Sequence, residues 1–161
     1  MNPCPCGNHG NPKRVCTCTP AQVHRYRSKI SAPLLDRIDI QIEVPAVDYD
    51  DLSKVADGDT TFEIKKRVNK ARAIQIERYK NENITANSQL TAPMLDKYCA
   101  LGDAESKLMK SAFDRLGLSA RAHGKILRVA RTIADLDNSD DIKTPHIAEA
   151  IQYRNFDRIG Y

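Results

Sequence analysis

The sequence lacks the features by which a chain enters or crosses a membrane. It has no apolar run near the roughly 20 residues that span a bilayer. It also has no charged start followed by an apolar stretch of the signal-peptide kind. Charged residues make up 29% of its 161 residues and hydrophobic ones 41%, which argues against a disordered tail. The sequence therefore predicts a cytoplasmic globular protein without a membrane partner.

Strand-like segments are also scarce. Residues 38–44 read Ile-Asp-Ile-Gln-Ile-Glu-Val, so apolar and polar side chains alternate, and Pro45 ends the run. This alternation predicts one strand. A single strand is not stable alone, because its backbone donors need a partner edge. We expect it to be the last strand of a sheet whose other strands lie upstream of residue 1.

Helical patterns dominate the rest of the chain. A short basic helix is expected over residues 21–30, followed by a helical turn beginning at Pro33. Thr60 and Glu63 form a capping-box signature before a longer helix. Further helices are expected at 92–98, at 103–116 before Gly117, from Ser119 to about 136 and from Thr144 onward. The residues expected to face the core are Ile64, Val68, Ala71, Ile74, Ala104, Leu108, Ala112, Phe113, Ala122, Ile126, Val129, Ala130 and Ile133.

Four of the five cysteines lie in the first 18 residues, as two Cys-x-Cys pairs separated by nine residues. A cytoplasmic chain does not build a disulfide framework, and four thiolates are the number that a closed, structural zinc site takes. We predict zinc on Cys4, Cys6, Cys16 and Cys18. The alternative is four free thiols in a flexible arm. Cys99 lies in a predicted helix and is expected to be an ordinary buried thiol.

Basic residues cluster in two stretches. From Lys13 to Arg37 there are six Lys or Arg against one Asp, and from Lys65 to Lys80 seven against one Glu. Such stretches can hold phosphates, but the second is better explained as a solvated helix face.

The run from Ser31 to Val44, with Pro-Leu-Leu-Asp-Arg-Ile-Asp at its centre, resembles a segment of magnesium-chelatase-like and ComM-type AAA+ ATPases. In that family the motif precedes the last strand of the ATPase sheet, and its arginine is the arginine finger. The matching residue here is Arg37. A guanidinium offered by a neighbouring subunit neutralises charge on the transferred γ-phosphate. The alternative is that Arg37 simply pairs with Asp36 or Asp39.

Two further segments resemble the same family. The opening Asn-Pro-Cys-Pro-Cys-Gly matches the ComM-type branch, in which the asparagine is the first sensor and corresponds to Asn2. Residues 118–136 are similar to the sensor-2 helix, and the sensor arginine corresponds to Arg121. Arg121 falls in the first turn of a helix, where free amides favour phosphate. Lys125 and Arg128 share its face and are expected to be solvated, whereas His123 is expected to be packed and hydrogen-bonded.

The sequence departs from the family at its beginning. It contains no Gly-x-x-x-x-Gly-Lys-Ser/Thr phosphate loop and no Asp-Glu pair to hold Mg²⁺. The chain alone should therefore neither bind nor hydrolyse ATP. The fold that the resemblance implies is mostly α. Residues 1–45 are the C-terminal remnant of an α/β ATPase core, 46–59 an acidic linker and 60–161 a helical lid.

The resemblance implies a ring, expected to have six subunits, that binds ATP with Mg²⁺ between neighbours and moves on DNA in branch migration or recombination. In such a ring Asn2 and Arg121 sense nucleotide on their own or an adjacent core. Two alternatives remain open. One is the motor subunit of a metal chelatase, and the other is a non-enzymatic zinc module that binds nucleic acid through the basic stretches 13–37 and 65–80.

Overall fold

The computed structural model describes residues 1–45, 47 and 58–154. Over these residues the chain is mostly α, as predicted, and has no strand. A 3-10 turn at Asn87–Gln89 separates two of the helices. The helices are α1 (Pro20–Arg27), α2 (Ala32–Leu35), α3 (Thr61–Arg78), α4 (Ala92–Tyr98), α5 (Asp103–Leu116), α6 (Ala120–Leu136) and α7 (Thr144–Gln152).

The helix boundaries follow the start and stop signals in the sequence. Thr60 accepts from the amide of Glu63 while the Glu63 carboxylate accepts from the amide of Thr60, so the predicted capping box forms. The Ser119 hydroxyl accepts from the amide of Ala122 at 3.1 Å and caps α6. Helix α5 ends at Gly117, as expected. These local signals predicted the helices of the second half of the chain almost to the residue.

The predicted strand at residues 38–44 does not form within the part of the chain that the structure describes. No second strand lies beside it there, so the backbone lacks the partner edge that strand pairing needs. Instead, the amide of Gln41 donates to the carbonyl of Tyr153 at 2.8 Å. The apolar side chains that alternate along the segment are exposed: Ile38 39%, Ile40 52%, Ile42 63% and Val44 75%.

Helix α6 is the centre of the bundle. It contacts α3, α4, α7 and the 3-10 turn, while α5 packs on α7. Ala122, Ile126, Ala130 and Ala134 recur every four residues along one face, and each is at most 1% exposed. Three of these four are alanines, which lets neighbouring helices approach the α6 backbone closely.

Two expectations about core residues are wrong. Ile64 and Val68 are each 45% exposed, because every residue from 61 to 70 is exposed and only the second half of α3 packs on the bundle. There Ala71 and Gln75 are buried. In α5, Ala104 is exposed and Met109 fills the core position instead.

A buried polar network attaches α3 to α6. The Asp135 side chain is fully buried and accepts two hydrogen bonds from Arg78, at 2.5 and 3.0 Å. It also accepts from Arg131 at 3.2 Å and from the Asn87 amide at 2.8 Å. The Tyr79 hydroxyl donates to Asn87 at 2.6 Å. One buried carboxylate is thus compensated by two arginines and an amide, as a buried charge requires.

Of the predicted divisions, the acidic linker 46–59 lies largely outside the described residues, as do the last seven residues of the predicted lid. No helix in the described ranges has the length and apolar character to cross a membrane. The division into remnant, linker and lid remains a prediction.

We expect Asp135→Asn to destabilise the chain by about 3–5 kcal/mol, because it removes the charge that compensates the buried Arg131 and the largely buried Arg78. The measurement is the free energy of unfolding from urea titration. Asp96→Asn is the matched control: Asp96 is exposed on α4, and its substitution should change stability by no more than about 0.5 kcal/mol. Equal, small effects of the two substitutions would contradict this role of the network.

Candidate functional site

The four N-terminal cysteines converge in space. The Sγ atoms of Cys4, Cys6, Cys16 and Cys18 all lie within 4.8 Å of one another, and we call this group the Cys cluster. Sγ–Sγ distances are 3.4 Å for Cys4–Cys6, 3.7 Å for Cys4–Cys16 and 3.6 Å for Cys6–Cys16. Four sulfurs held at about 2.3 Å around a tetrahedral Zn²⁺ lie about 3.8 Å apart. The spacing therefore fits one zinc ion.

Backbone amides surround the sulfurs of the Cys cluster. The amides of Asn8 and then Thr17 donate to Cys6 and lower its pKa to about 5. At Cys18 the amide of Cys6 lowers the pKa, but desolvation and the neighbouring thiols outweigh it and raise the pKa to about 12. Four thiolates at such distances repel one another, and a divalent cation removes that repulsion. The chemistry of the donor set therefore also fits a metal ion.

Local turns bring the two Cys-x-Cys pairs together. Gly7 and Gly10 both have φ of +80°, a left-handed conformation that glycine adopts without strain. Thr19, directly after Cys18, caps α1. Arg27 on α1 donates back to the carbonyl of Pro3 at 3.1 Å. The Cys cluster is thereby fixed to the first helix.

Arg37 lies just after α2, and the residue is exposed. Its guanidinium donates to the carbonyl of Pro33 at 3.2 Å. The pairing with Asp36 or Asp39 that the sequence left open is not the arrangement found. Each of these carboxylates is paired with cations from elsewhere in the chain.

Asp36 is the centre of a polar junction between residues 35–41 and the helical bundle. Its carboxylate accepts from the Ser119 hydroxyl at 3.0 Å and pairs with Arg121 at 3.4 Å and Arg154 at 3.6 Å. Arg121 is 58% exposed at its side chain, so it pairs with Asp36 in a solvated environment. We call Asp36, Asp39, Ser119, Arg121, Lys125 and Arg154 the Asp36 junction.

Two cations of this junction also bind backbone. Lys125 donates to the carbonyl of Arg37 and pairs with Asp39 at 2.7 Å. Arg154, whose side chain is 1% exposed, donates to the carbonyl of Ile38 at 2.6 Å. The peptide groups that follow Arg37 are therefore held by side chains of the bundle.

Three expectations about helix α6 are wrong. Lys125 is not solvated, since its side chain is 12% exposed. Arg128 is not solvated either, because it donates two hydrogen bonds, at 2.6 and 3.0 Å, to the carbonyl of Leu90. His123 is exposed rather than packed and hydrogen-bonded, and its ring lies edge-on to Phe113 with 6.1 Å between centroids.

The structure brings Arg121 close to the motif of Arg37, but it does not bring Asn2 to either. Asn2 is exposed, and its side-chain nitrogen lies 3.8 Å from the position that a Cβ atom would occupy on Gly7. Among the described residues, no hydrogen bond joins Asn2 to Arg37 or Arg121. Cys99 is buried as expected, and this burial raises its pKa to about 11.

Sequence reasoning missed the roles of Asp36 and Arg154. Asp36 stood only as a candidate partner of Arg37, and Arg154 lies beyond the last helix without any motif around it. The signal for Lys125 was present, because its four-residue spacing from Arg121 places both on one face of α6. That spacing does not reveal which segment covers the face.

Comparison with known proteins extends over both halves of the chain. The family model for the C-terminal part of magnesium chelatase subunit ChlI matches residues 58–154, more than half of the chain. The model for magnesium chelatase subunit ChlI itself matches residues 1–52.

Curated relatives match along nearly the full chain. Competence protein ComM of Haemophilus influenzae is 39% identical over 161 residues, and uncharacterized protein YifB of Escherichia coli is 40% identical. Uncharacterized protein Mb2921c of Mycobacterium bovis is 32% identical over 153 residues. These matches cover 95–99% of this chain but only 30% of each relative. The chain thus spans about a third of the length of the proteins it resembles.

We expect the purified chain to carry about one zinc per molecule, because four thiolates complete a tetrahedral site. Cys6→Ser should release most of it, since oxygen of serine is a poor replacement for thiolate. Metal analysis by mass spectrometry is the measurement, and Cys99→Ser, at a buried thiol outside the Cys cluster, is the matched control. Metal loss in both variants, or none in either, would argue against a site in the Cys cluster.

Proposed function

The chain belongs to the magnesium chelatase ChlI family, and we propose that it is the C-terminal part of a ring-forming AAA+ ATPase of the ComM type. In this proposal, ATP with Mg²⁺ binds to a core supplied by the rest of the protein. Arg37 is the arginine finger for the ATP of a neighbouring subunit, and Asn2 and Arg121 are sensors. Six subunits form the ring. The Cys cluster holds a structural zinc.

One observation carries the finger assignment. Arg37 is exposed, while the two carboxylates that flank it are both paired with cations of the bundle. The guanidinium of Arg37 donates within its own segment to the carbonyl of Pro33, and the flanking carboxylates pair with other cations. A guanidinium left accessible on a firmly held backbone supports a role toward a separate molecule.

The exposed apolar residues of 38–44 support the proposal that an ATPase core covers this segment in the complete protein. They alternate along the segment, which is the pattern of a strand with one buried face, yet each is at least 39% exposed. We propose that this segment is the last strand of the ATPase sheet and is covered when the core is present. Lone exposed apolar residues are ordinary, but a regular alternating set needs an explanation.

A DNA substrate is proposed on two grounds. One relative is named a competence protein, and residues 1–35 contain five Lys or Arg but no Asp or Glu. The proposed task is branch migration or recombination during natural transformation. The family name supports one alternative, a motor that drives metal insertion by a chelatase. The basic N-terminal stretch supports another, a non-enzymatic zinc module for nucleic acid.

We expect the complete parent protein to hydrolyse ATP and to be stimulated several-fold by forked or four-way DNA, whereas the chain alone is inactive. Steady-state phosphate release, with and without each DNA, is the measurement. Hydrolysis indifferent to DNA would favour the chelatase alternative. Tight DNA binding by the isolated chain, lost steeply between low and moderate salt, would favour the non-enzymatic module.

Arg37→Ala in the complete protein should lower kcat for ATP by about 10³-fold or more, because it removes charge stabilisation in the transition state. ATP binding, measured by titration with a fluorescent analogue, should stay within about twofold, as expected for a contact made mainly in the transition state. Arg37→Lys should not restore turnover, since an ammonium lacks the planar fork of a guanidinium. Arg115→Ala, at an exposed arginine of α5, is the control. Normal turnover of Arg37→Ala would refute the finger assignment.

A further inference from the structure

Building on the proposed role of Arg37, we propose that Lys125 and Arg154 are positioning residues for that arginine. They hold the backbone on its C-terminal side to the helical bundle. Lys125 and Arg154 act on the backbone at Arg37, whereas the proposed transition-state contact is made by the Arg37 side chain.

Lys125 holds the segment at two points. Its ammonium donates to the carbonyl of Arg37 and pairs with the Asp39 carboxylate at 2.7 Å. The Lys125 side chain is only 12% exposed, whereas Asp39 is 63% exposed. A charge-assisted bond to a carbonyl fixes the peptide plane that leaves Arg37.

Arg154 holds the next peptide group. Its guanidinium donates to the carbonyl of Ile38 at 2.6 Å and lies 3.6 Å from the Asp36 carboxylate. The carbonyl of Tyr153, the residue before Arg154, accepts from the amide of Gln41 at 2.8 Å. Two consecutive carbonyls after the proposed finger are thus bound by cations of the bundle.

The segment needs these contacts because it has little rigidity of its own. Helix α2 is four residues long, and a single turn of helix is not stable without tertiary support. The Arg37 side chain is long and exposed, so its reach is set by where the backbone stands. In enzymes a misplacement of about 1 Å can lower the rate about 100-fold. The position of the finger therefore depends on Lys125 and Arg154.

The same geometry couples the finger to the proposed sensor. Arg121 and Lys125 are one turn apart on α6, and Arg121 pairs with Asp36 while Lys125 binds Arg37 and Asp39. Any movement of α6 would be transmitted through Lys125 to the Arg37 backbone. This is a mechanical link between two residues that the sequence presents 84 positions apart.

The test is Lys125→Met in the complete protein, which keeps the length of the side chain and removes its charge. We expect kcat for ATP to fall by about 10- to 100-fold with KM unchanged. Lys125→Arg, which can still donate to the carbonyl, should recover most of kcat. Lys107→Met, at an exposed lysine of α5, should be neutral and is the matched control. Melting temperatures of all variants are measured in parallel.

The outcomes separate this inference from the proposed function. If Arg37→Ala abolishes turnover and Lys125→Met leaves kcat unchanged, the positioning role is wrong and the finger stands. If Arg37→Ala has no effect, the finger assignment fails, and the positioning role fails with it. Should Lys125→Met fold poorly, Asp39→Asn weakens the same grip from the exposed end, and a fall in kcat at unchanged melting temperature supports the inference. A change in KM and melting temperature together, without recovery by Lys125→Arg, overturns it.

Discussion

The buried carboxylate of Asp135 is the interaction on which the bundle depends. It lies on the central helix α6 and accepts hydrogen bonds from both terminal guanidinium nitrogens of Arg78 on α3. It therefore joins two helices that are far apart in sequence. Arg131 shares this carboxylate and also donates to the carbonyls of Ser139 and Asp140, which fixes the chain as it leaves α6. Removing one charge of such a set leaves the others buried without compensation, which is why buried ion networks tolerate little change.

The Asp36 junction also joins a carboxylate to arginines, but its Arg121–Asp36 pair is exposed to solvent. Asp36 also pairs with two arginines, but Arg121 is more than half exposed and the distances are longer, at 3.4 and 3.6 Å. Exposed pairs of this kind contribute little to stability, typically below about 1 kcal/mol. The Arg121–Asp36 pair can therefore rearrange at small cost, whereas the network around Asp135 cannot.

Much of the helical half was predictable, because its signals are local. Capping by Thr60 and Ser119 and the end of α5 at Gly117 depend on neighbours within a few residues. The Cys cluster was predictable for the same reason, since its four cysteines are close in sequence. The Asp36 junction was not, because it joins residues 83 to 118 positions apart. Period two at 38–44 predicted a strand, but a strand also needs an edge that the described chain does not offer.

The first half of the long helix α3 projects from the helical bundle. Only its second half packs on the bundle, and residues 61–70 extend from it as a helical rod about 15 Å long, given the rise per residue. Its fixed end is at Ala71, the first buried residue of the helix. A tilt of the bundle by about 10° would carry the tip through about 2.6 Å for a rod of that length. A rotation of α3 about its packed half therefore moves Thr61 farther than it moves the residues that contact the bundle.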